Sequence, residues 1–143
     1  MNYQQEYLRC LKDKSRIYFI EHYLSTFNAD ERKDVPFKLF PRQKVFLTEL
    51  SNNSNVVSLK HRQCGVTTIS SAWITGQLVF ARASSPETVL CIGNKLDISQ
   101  QLIEKISAFL DQVPRWMWGP DFYDPDPDDP KNKKSIYKTR NQQ

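Results

Sequence analysis

The sequence predicts an α/β fold in which a parallel β-α-β-α core follows N-terminal helices. Two short apolar runs, residues 56–59 and residues 88–92, are predicted to be buried strands. Each run leads into a segment with apolar residues at helical spacing, from residue 67 and from about residue 97 to residue 110. Strands joined by a helix in this way are expected to be parallel neighbours. Because only two such strands are visible, the predicted sheet is incomplete.

Length and composition indicate one compact domain. The chain has 143 residues, of which 39% are hydrophobic and 25% charged, so neither wholesale disorder nor a fibre is indicated. No apolar run approaches the roughly 20 residues that span a bilayer, and polar residues instead of a signal-peptide pattern follow Met1. We therefore expect a protein that is neither membrane-spanning nor secreted.

Cysteine content and net charge exclude few classes of function. Cys10, Cys64 and Cys91 are odd in number and far apart, and the chain has only two histidines. This pattern does not favour a zinc site, and it fits a reducing cytoplasm. The net charge of +4 permits contact with nucleic acid, although many proteins with such a small surplus never bind it.

The chain is predicted to have three parts. Residues 1–50 form an N-terminal helical segment. It begins with an amphipathic helix that contains Ile17, Ile20, Leu24 and Phe27. A loop or hairpin over residues 28–35 and a second short helix over residues 42–50 follow. Residues 51–113 form the core fragment. Residues 114–143 form a tail that is aromatic at first, then rich in proline and aspartate, then basic.

A candidate phosphate-binding loop lies at the junction of the first strand with its helix, in LKHRQCGVTT, residues 59–68. Such a loop needs backbone N–H groups at a helix start, a glycine where the chain approaches the ligand, and a hydroxyl for Mg²⁺. Gly65 and Thr67 satisfy the last two needs. Against the pattern G-x-x-x-x-G-K-[ST], however, Lys60 replaces the first glycine and Val66 replaces the lysine. A turn in which Gly65 only reverses the chain is the alternative.

The loop RQCGVTT resembles the R-Q-x-G-K-[ST]-T phosphate loop of the large terminase subunits of tailed bacteriophages, which also lack the first glycine. Residues 18–47 are similar to the helix, hairpin and adenine-side segment of that family, and Gln43 stands where the family has a glutamine. Residues 88–117 resemble the strand and helix that follow the loop. The resemblance covers residues 15–120 and implies a P-loop NTPase fold.

The family resemblance implies a DNA-packaging motor. Its N-terminal ATPase uses ATP and Mg²⁺, and its C-terminal nuclease cuts concatemeric double-stranded DNA that the motor pumps into a procapsid. The implied partners are viral DNA, the portal protein, the small terminase subunit and the rest of the large subunit. The implied location is the host cytoplasm during virion assembly, with no membrane contact.

The resemblance also implies roles for individual residues. Gln43, with Arg42 beside it, would bind the adenine, and the alternative for this pair is an exposed helix start. Thr67 and Thr68 would hold the metal and the helix start. The phosphates would be wrapped by the backbone amides of Arg62, Gln63, Cys64, Gly65 and Val66. We interpret Cys64 as a small loop residue and not as a nucleophile.

The sequence departs from the family at Val66, where the family has lysine. Losing a charge-assisted hydrogen bond costs about 1.5–3 kcal/mol, so a substitute cation is expected. Lys60 and Arg62 flank the loop, and we favour Arg62 because its planar guanidinium suits two phosphate oxygens. Without a substitute, the site would bind nucleotide weakly or lack turnover.

The acidic residues of a complete ATPase are not predicted within the chain. DPDPDDP, within residues 121–130, carries carboxylates, but its prolines and lack of an apolar run predict a solvated loop and not the end of a strand. The chain is therefore expected to stop before the Walker B strand and the nuclease. The alternatives are a fragment of a helicase-like DNA translocase, and a non-catalytic remnant or interaction module.

Overall fold

A computed structural model describes residues 2–28, 30–60, 64–81 and 88–118. These residues form five α-helices, a two-stranded sheet and a final 3₁₀ turn. In chain order the elements are α1 (Tyr3–Lys12), α2 (Ile17–Tyr23), β1 (Ser25–Asn28), β2 (Lys33–Pro36), α3 (Pro41–Asn52), α4 (Val66–Val79), α5 (Leu96–Gln112) and the 3₁₀ turn (Arg115–Trp118). The observed fold is thus a mixture of helices and a small antiparallel sheet.

Three helices confirm the sequence prediction. The helices α3, α4 and α5 lie at the predicted positions, because each contains apolar residues at helical spacing that pack against the core. The helix α2 is shorter than predicted, since it ends at Tyr23 and the predicted helical residue Phe27 lies in β1 with an exposed side chain. None of the helices in the described ranges is long and apolar enough to cross a membrane.

The predicted loop or hairpin before Pro36 is confirmed as a hairpin. The strands β1 and β2 pair antiparallel, with Ser25 opposite Pro36 and Asn28 opposite Lys33. Gln112, at the end of α5, accepts a hydrogen bond from the Ser25 N–H at 2.7 Å and donates one to the Ser25 carbonyl at 3.3 Å. The hairpin is therefore attached to the end of α5.

The predicted buried strands at residues 56–59 and 88–92 are not found. Both segments are described without any strand pairing, and their apolar side chains are largely exposed: Val57 by 93%, Leu59 by 100%, Leu90 by 80% and Ile92 by 84%. The prediction that they are buried was wrong for this structure. Parallel strands need backbone partners and a covering layer on each face, and the described residues supply these to neither segment.

The helix α4 lies at the centre of the core and packs against α2, α3 and α5. Its inward side chains include Ile69 and Ala72, which are almost completely buried. They belong to the same hydrophobic core as Phe19 and Ile20 of α2. Met117, in the 3₁₀ turn, is fully buried and closes the same core.

Arg16 connects the turn after α1 to the far end of α4. It is 6% exposed and has a left-handed backbone with φ of 61°. Its Nη2 donates to Gln77 Oε1 at 3.1 Å, and the guanidinium lies 4.9 Å from the centre of the Phe80 ring. Its Nη1 donates to three carbonyl oxygens, those of Cys10 (3.0 Å), Leu11 (3.3 Å) and Asp13 (3.3 Å). A Cβ on Gly76 would lie 3.0 Å from Arg16 Cγ, so this packing requires a glycine or a displaced arginine.

A carboxylate shared by two tyrosines joins α1 to α2. Glu6 Oε1 accepts hydrogen bonds from the hydroxyls of Tyr18 at 2.6 Å and Tyr23 at 2.9 Å. These two bonds lower the pKa of the Glu6 carboxyl. Burial, followed by the bond to Glu6, raises the pKa of Tyr23. The N-terminal helices are therefore held together by polar as well as apolar contacts.

Candidate functional site

The start of α4 presents a set of backbone donors. Gly65 is the residue before the helix and has φ of 74°, a conformation that glycine adopts without strain. The first hydrogen bond of the helix runs from the Ile69 N–H to the Gly65 carbonyl at 3.0 Å. The N–H groups of residues 66–68 precede it, so they have no acceptor within the helix. Together with the helix dipole, these groups favour an anion at this position.

Gln43 joins the start of α3 to the loop before α4. Its Oε1 accepts a hydrogen bond from the Phe40 N–H at 3.0 Å, which caps α3. Its Nε2 donates to the Cys64 carbonyl at 3.3 Å. A Cβ on Gly65 would lie 3.0 Å from the same nitrogen. The predicted adenine-side glutamine and the predicted phosphate loop are therefore in direct contact.

An ion pair holds the start of α3 in this place. Lys44 Nζ lies 2.8 Å from Oε1 of Glu21, a residue of α2. The same carboxylate oxygen accepts a hydrogen bond from the Leu39 N–H at 3.3 Å. Leu39 and Leu47 are buried in the core. The first turn of α3 is therefore held on one side by the core and on the other by Glu21. Gln43, in that first turn, is positioned as a result.

Lys105 is a site residue that the sequence analysis missed. Its Nζ, on α5, donates to Thr68 Oγ1 in the first turn of α4 at 3.1 Å. The buried Ile106 beside it places this part of α5 against the core. The apolar spacing of α5 predicts that the helix packs on a neighbour, but it does not tell which lysine meets the start of α4.

The other predicted site residues are less closely grouped. Thr67 is exposed at the second position of α4, and Val66 is half-buried at the first. Arg42 is exposed beside Gln43, and Lys60 is exposed in the segment before the loop. Arg62 and Gln63 lie outside the described residues, as does the acidic segment of the tail. The structure thus brings together Gln43, Cys64, Gly65 and Thr68, with Lys105 as an additional member.

Metal and thiol chemistry have little support in the described ranges. No group of three or more histidine, cysteine or acidic side chains there could hold a metal ion. All three cysteines are free. Burial raises the pKa of the Cys10 thiol to about 11 and also raises that of Cys91, so neither is an activated nucleophile. The groups described at the start of α4 are amides, hydroxyls and an ammonium group, all of which can donate hydrogen bonds to an anion.

Comparison of the chain with protein-family models, with curated proteins and with solved structures finds no match. A functional assignment must therefore come from the site itself. Within the described residues, this site combines the donor-rich start of α4 with one amide side chain from α3 and one ammonium group from α5. These groups are hydrogen-bond donors, and such donors can bind the oxygens of an anion.

Proposed function

We propose that the chain is the ATP-binding part of a viral DNA-packaging ATPase of the large terminase subunit type. The observation that carries the proposal is the hydrogen bond from Gln43 Nε2 to the Cys64 carbonyl. It joins two residues 21 positions apart, to which the family resemblance assigns contacts with the adenine and with the phosphates. A nucleotide bound here has its base beside Gln43 and its phosphates at the start of α4.

The groups at the start of α4 suit a magnesium triphosphate. The amides of residues 66–68 bind phosphate oxygens, the Thr67 hydroxyl contacts Mg²⁺, and Thr68 supports the helix start. In the complete ATPase, residues 56–59 and 88–92 are neighbouring parallel strands of a larger sheet. This part of the proposal rests on the apolar pattern of the two segments, because parallel strands are covered on both faces when the sheet is complete.

The proposed partners are those of a packaging motor. Double-stranded viral DNA is the substrate, and the portal protein, the small terminase subunit and the rest of the large subunit complete the assembly in the host cytoplasm. A helicase-like translocase would share the upstream glutamine and the phosphate loop. Only the packaging enzyme adds a nuclease with clustered acidic residues, which separates the two proposals.

A non-catalytic interaction module is the second candidate. The exposed aliphatic side chains of the segments at residues 56–59 and 88–92 favour it, since exposed apolar residues can bind a partner. Val66 favours it too, because the side chain of valine, unlike that of lysine, donates no hydrogen bond to phosphate. Nucleotide binding discriminates between the candidates, since an interaction module has no need of it.

The first test is binding of MgATP to the 143-residue chain, measured by calorimetric titration. We expect binding, and we expect Gln43→Ala to weaken it by about threefold to tenfold, the effect of one neutral hydrogen bond. Binding of inorganic tripolyphosphate should change less, because that ligand has no base. Gln4→Ala, at an exposed position of α1, is the matched control and should change neither affinity.

Two results would count against this assignment. If Gln43→Ala weakens ATP and tripolyphosphate equally, Gln43 serves the loop and the helix start and does not bind the base. If the unaltered chain binds neither ligand, the nucleotide site itself is disproved, and the interaction module becomes the better account of the exposed segments.

The second test is hydrolysis, which we expect to be negligible. Phosphoryl transfer needs an acidic residue for Mg²⁺ and a group that orients water. Within the described ranges, no acidic side chain hydrogen-bonds to residues 64–68. Phosphate release from purified chain should equal that of a Thr67→Ala control. Sustained turnover that Thr67→Ala abolishes would show that an acidic residue of this chain completes the site.

A further inference from the structure

We propose that Lys105 is a phosphate-binding residue, which supplies from α5 part of the positive charge that the loop lacks at Val66. This inference rests on the proposed function, because it assumes that the start of α4 binds the phosphates of a nucleotide. The observation behind it is the 3.1 Å hydrogen bond between Lys105 Nζ and Thr68 Oγ1. It concerns a residue outside the loop, unlike Lys60 and Arg62.

The ammonium group of Lys105 has no acidic partner in the described part of the chain. The two ion pairs found there join Lys33 to Glu31 and Lys44 to Glu21. On α5 itself, the residues three and four positions away from Lys105 are all uncharged: Gln101, Leu102, Ala108 and Phe109. The positive charge is therefore held against a neutral hydroxyl and remains available to an anion.

The position of Lys105 suits the phosphates better than it suits the base. Thr68 is the third residue of α4, so its own N–H belongs to the set of donors at the helix start. An anion bound to those donors lies beside the Thr68 hydroxyl, and the flexible stem of lysine lets Nζ follow it. Gln43, which contacts the loop through Cys64, is assigned to the other end of the nucleotide.

Lys105 also differs from the loop cations in how it is held. The helix α5 packs against α4, and the buried residues of α5, Ile106, Phe109 and Leu110, lie in its second half. The ammonium group is consequently brought to the site by the core and not by the conformation of the loop. A triphosphate carries several negative charges, so a cation from α5 and a cation from the loop act together and do not exclude one another.

The test uses the full chain and two ligands, MgATP and inorganic tripolyphosphate. We expect Lys105→Gln to weaken both by about tenfold or more, the effect of one lost charged hydrogen bond. Lys105→Arg should retain most of the affinity, because it keeps the charge. The matched control is Lys14→Gln, which removes the same charge from an exposed position. Lys14 lies in the turn of Arg16, which contacts Gln77 at the opposite end of α4.

The outcomes separate this inference from the proposed function. If the unaltered chain binds ATP and Lys105→Gln behaves like Lys14→Gln, the role of Lys105 is disproved while the nucleotide site stands. If Lys105→Gln weakens ATP but leaves tripolyphosphate unchanged, Lys105 does not bind phosphate. If the unaltered chain binds neither ligand, both proposals fail. Far-UV circular dichroism of each variant verifies that the helices remain folded.

Discussion

Replacing Arg16 with alanine is expected to destabilise the fold by about 2–4 kcal/mol, the cost of unsatisfied acceptors together with the loss of a buried side chain. The variant leaves three carbonyl oxygens and Gln77 Oε1 without the donor that they share. Such unsatisfied buried groups are costly. Loss of the aliphatic stem that packs against Gly76 adds a cavity. Urea unfolding followed by circular dichroism measures the change.

Two further variants make the Arg16 result specific. Lys14→Ala, in the same turn but exposed, should change the stability by less than about 0.5 kcal/mol. Arg16→Lys should fall between the two, because a single ammonium cannot reach the carbonyls of the turn and Gln77 at once. A cost for Arg16→Ala no larger than that for Lys14→Ala would mean that the guanidinium contacts add nothing to stability.

Replacing Arg62 with alanine is expected to weaken ATP binding by at least about tenfold, the effect of one lost charged hydrogen bond. The helix dipole contributes only about half of an elementary charge, so the triphosphate needs cations close to the loop. Arg62 is our first choice among the loop residues, since its guanidinium can donate to two phosphate oxygens. Lys60→Ala should have a smaller effect, and Val66→Lys should partly restore binding to the Arg62 variant. Calorimetric titration measures all three.

The opposite ranking would identify Lys60 as the substitute. Unchanged affinity after Arg62→Ala, with a large loss after Lys60→Ala, would show a displaced-lysine arrangement in which Lys60 supplies the cation. The Val66→Lys chain provides the internal control, because it restores the usual residue of the loop without altering either candidate. Failure of every version to bind nucleotide would favour the non-catalytic remnant.

The parts of the fold that sequence predicts well are those with local causes. The helices α3, α4 and α5 follow from apolar residues at helical spacing, and the hairpin follows from a polar segment before Pro36. The turn at Gly65 follows from the need for a positive φ. Residues 56–59 and 88–92 also have the local pattern of strands, but a strand requires partners that local pattern does not supply.

The parts that sequence misses depend on contacts between distant residues. The helix α1 is absent from the sequence prediction, although Tyr7, Cys10 and Leu11 lie at helical spacing and pack in the core. Arg16 is a charged residue in the core, and only the structure shows the carbonyls that compensate for its burial. Lys105 lies 37 residues from Thr68 in the chain, and the crossing of α4 and α5 determines their contact. The hydrogen bond between Gln43 and Cys64 was likewise not predicted from the sequence.

The double role of Gln43 has a thermodynamic consequence. One amide group caps α3 through Oε1 and binds the loop before α4 through Nε2. Both hydrogen bonds therefore depend on the same rotamer of Gln43. A ligand that draws this amide away from the Cys64 carbonyl must replace a hydrogen bond worth about 0.5–1.5 kcal/mol. The two effects are linked. The hydrogen bond to Cys64 lowers the affinity for such a ligand by the same factor by which the bound ligand lowers the equilibrium constant for forming that hydrogen bond. Since the free energy of this hydrogen bond is small, it can change the affinity for the base by at most about tenfold.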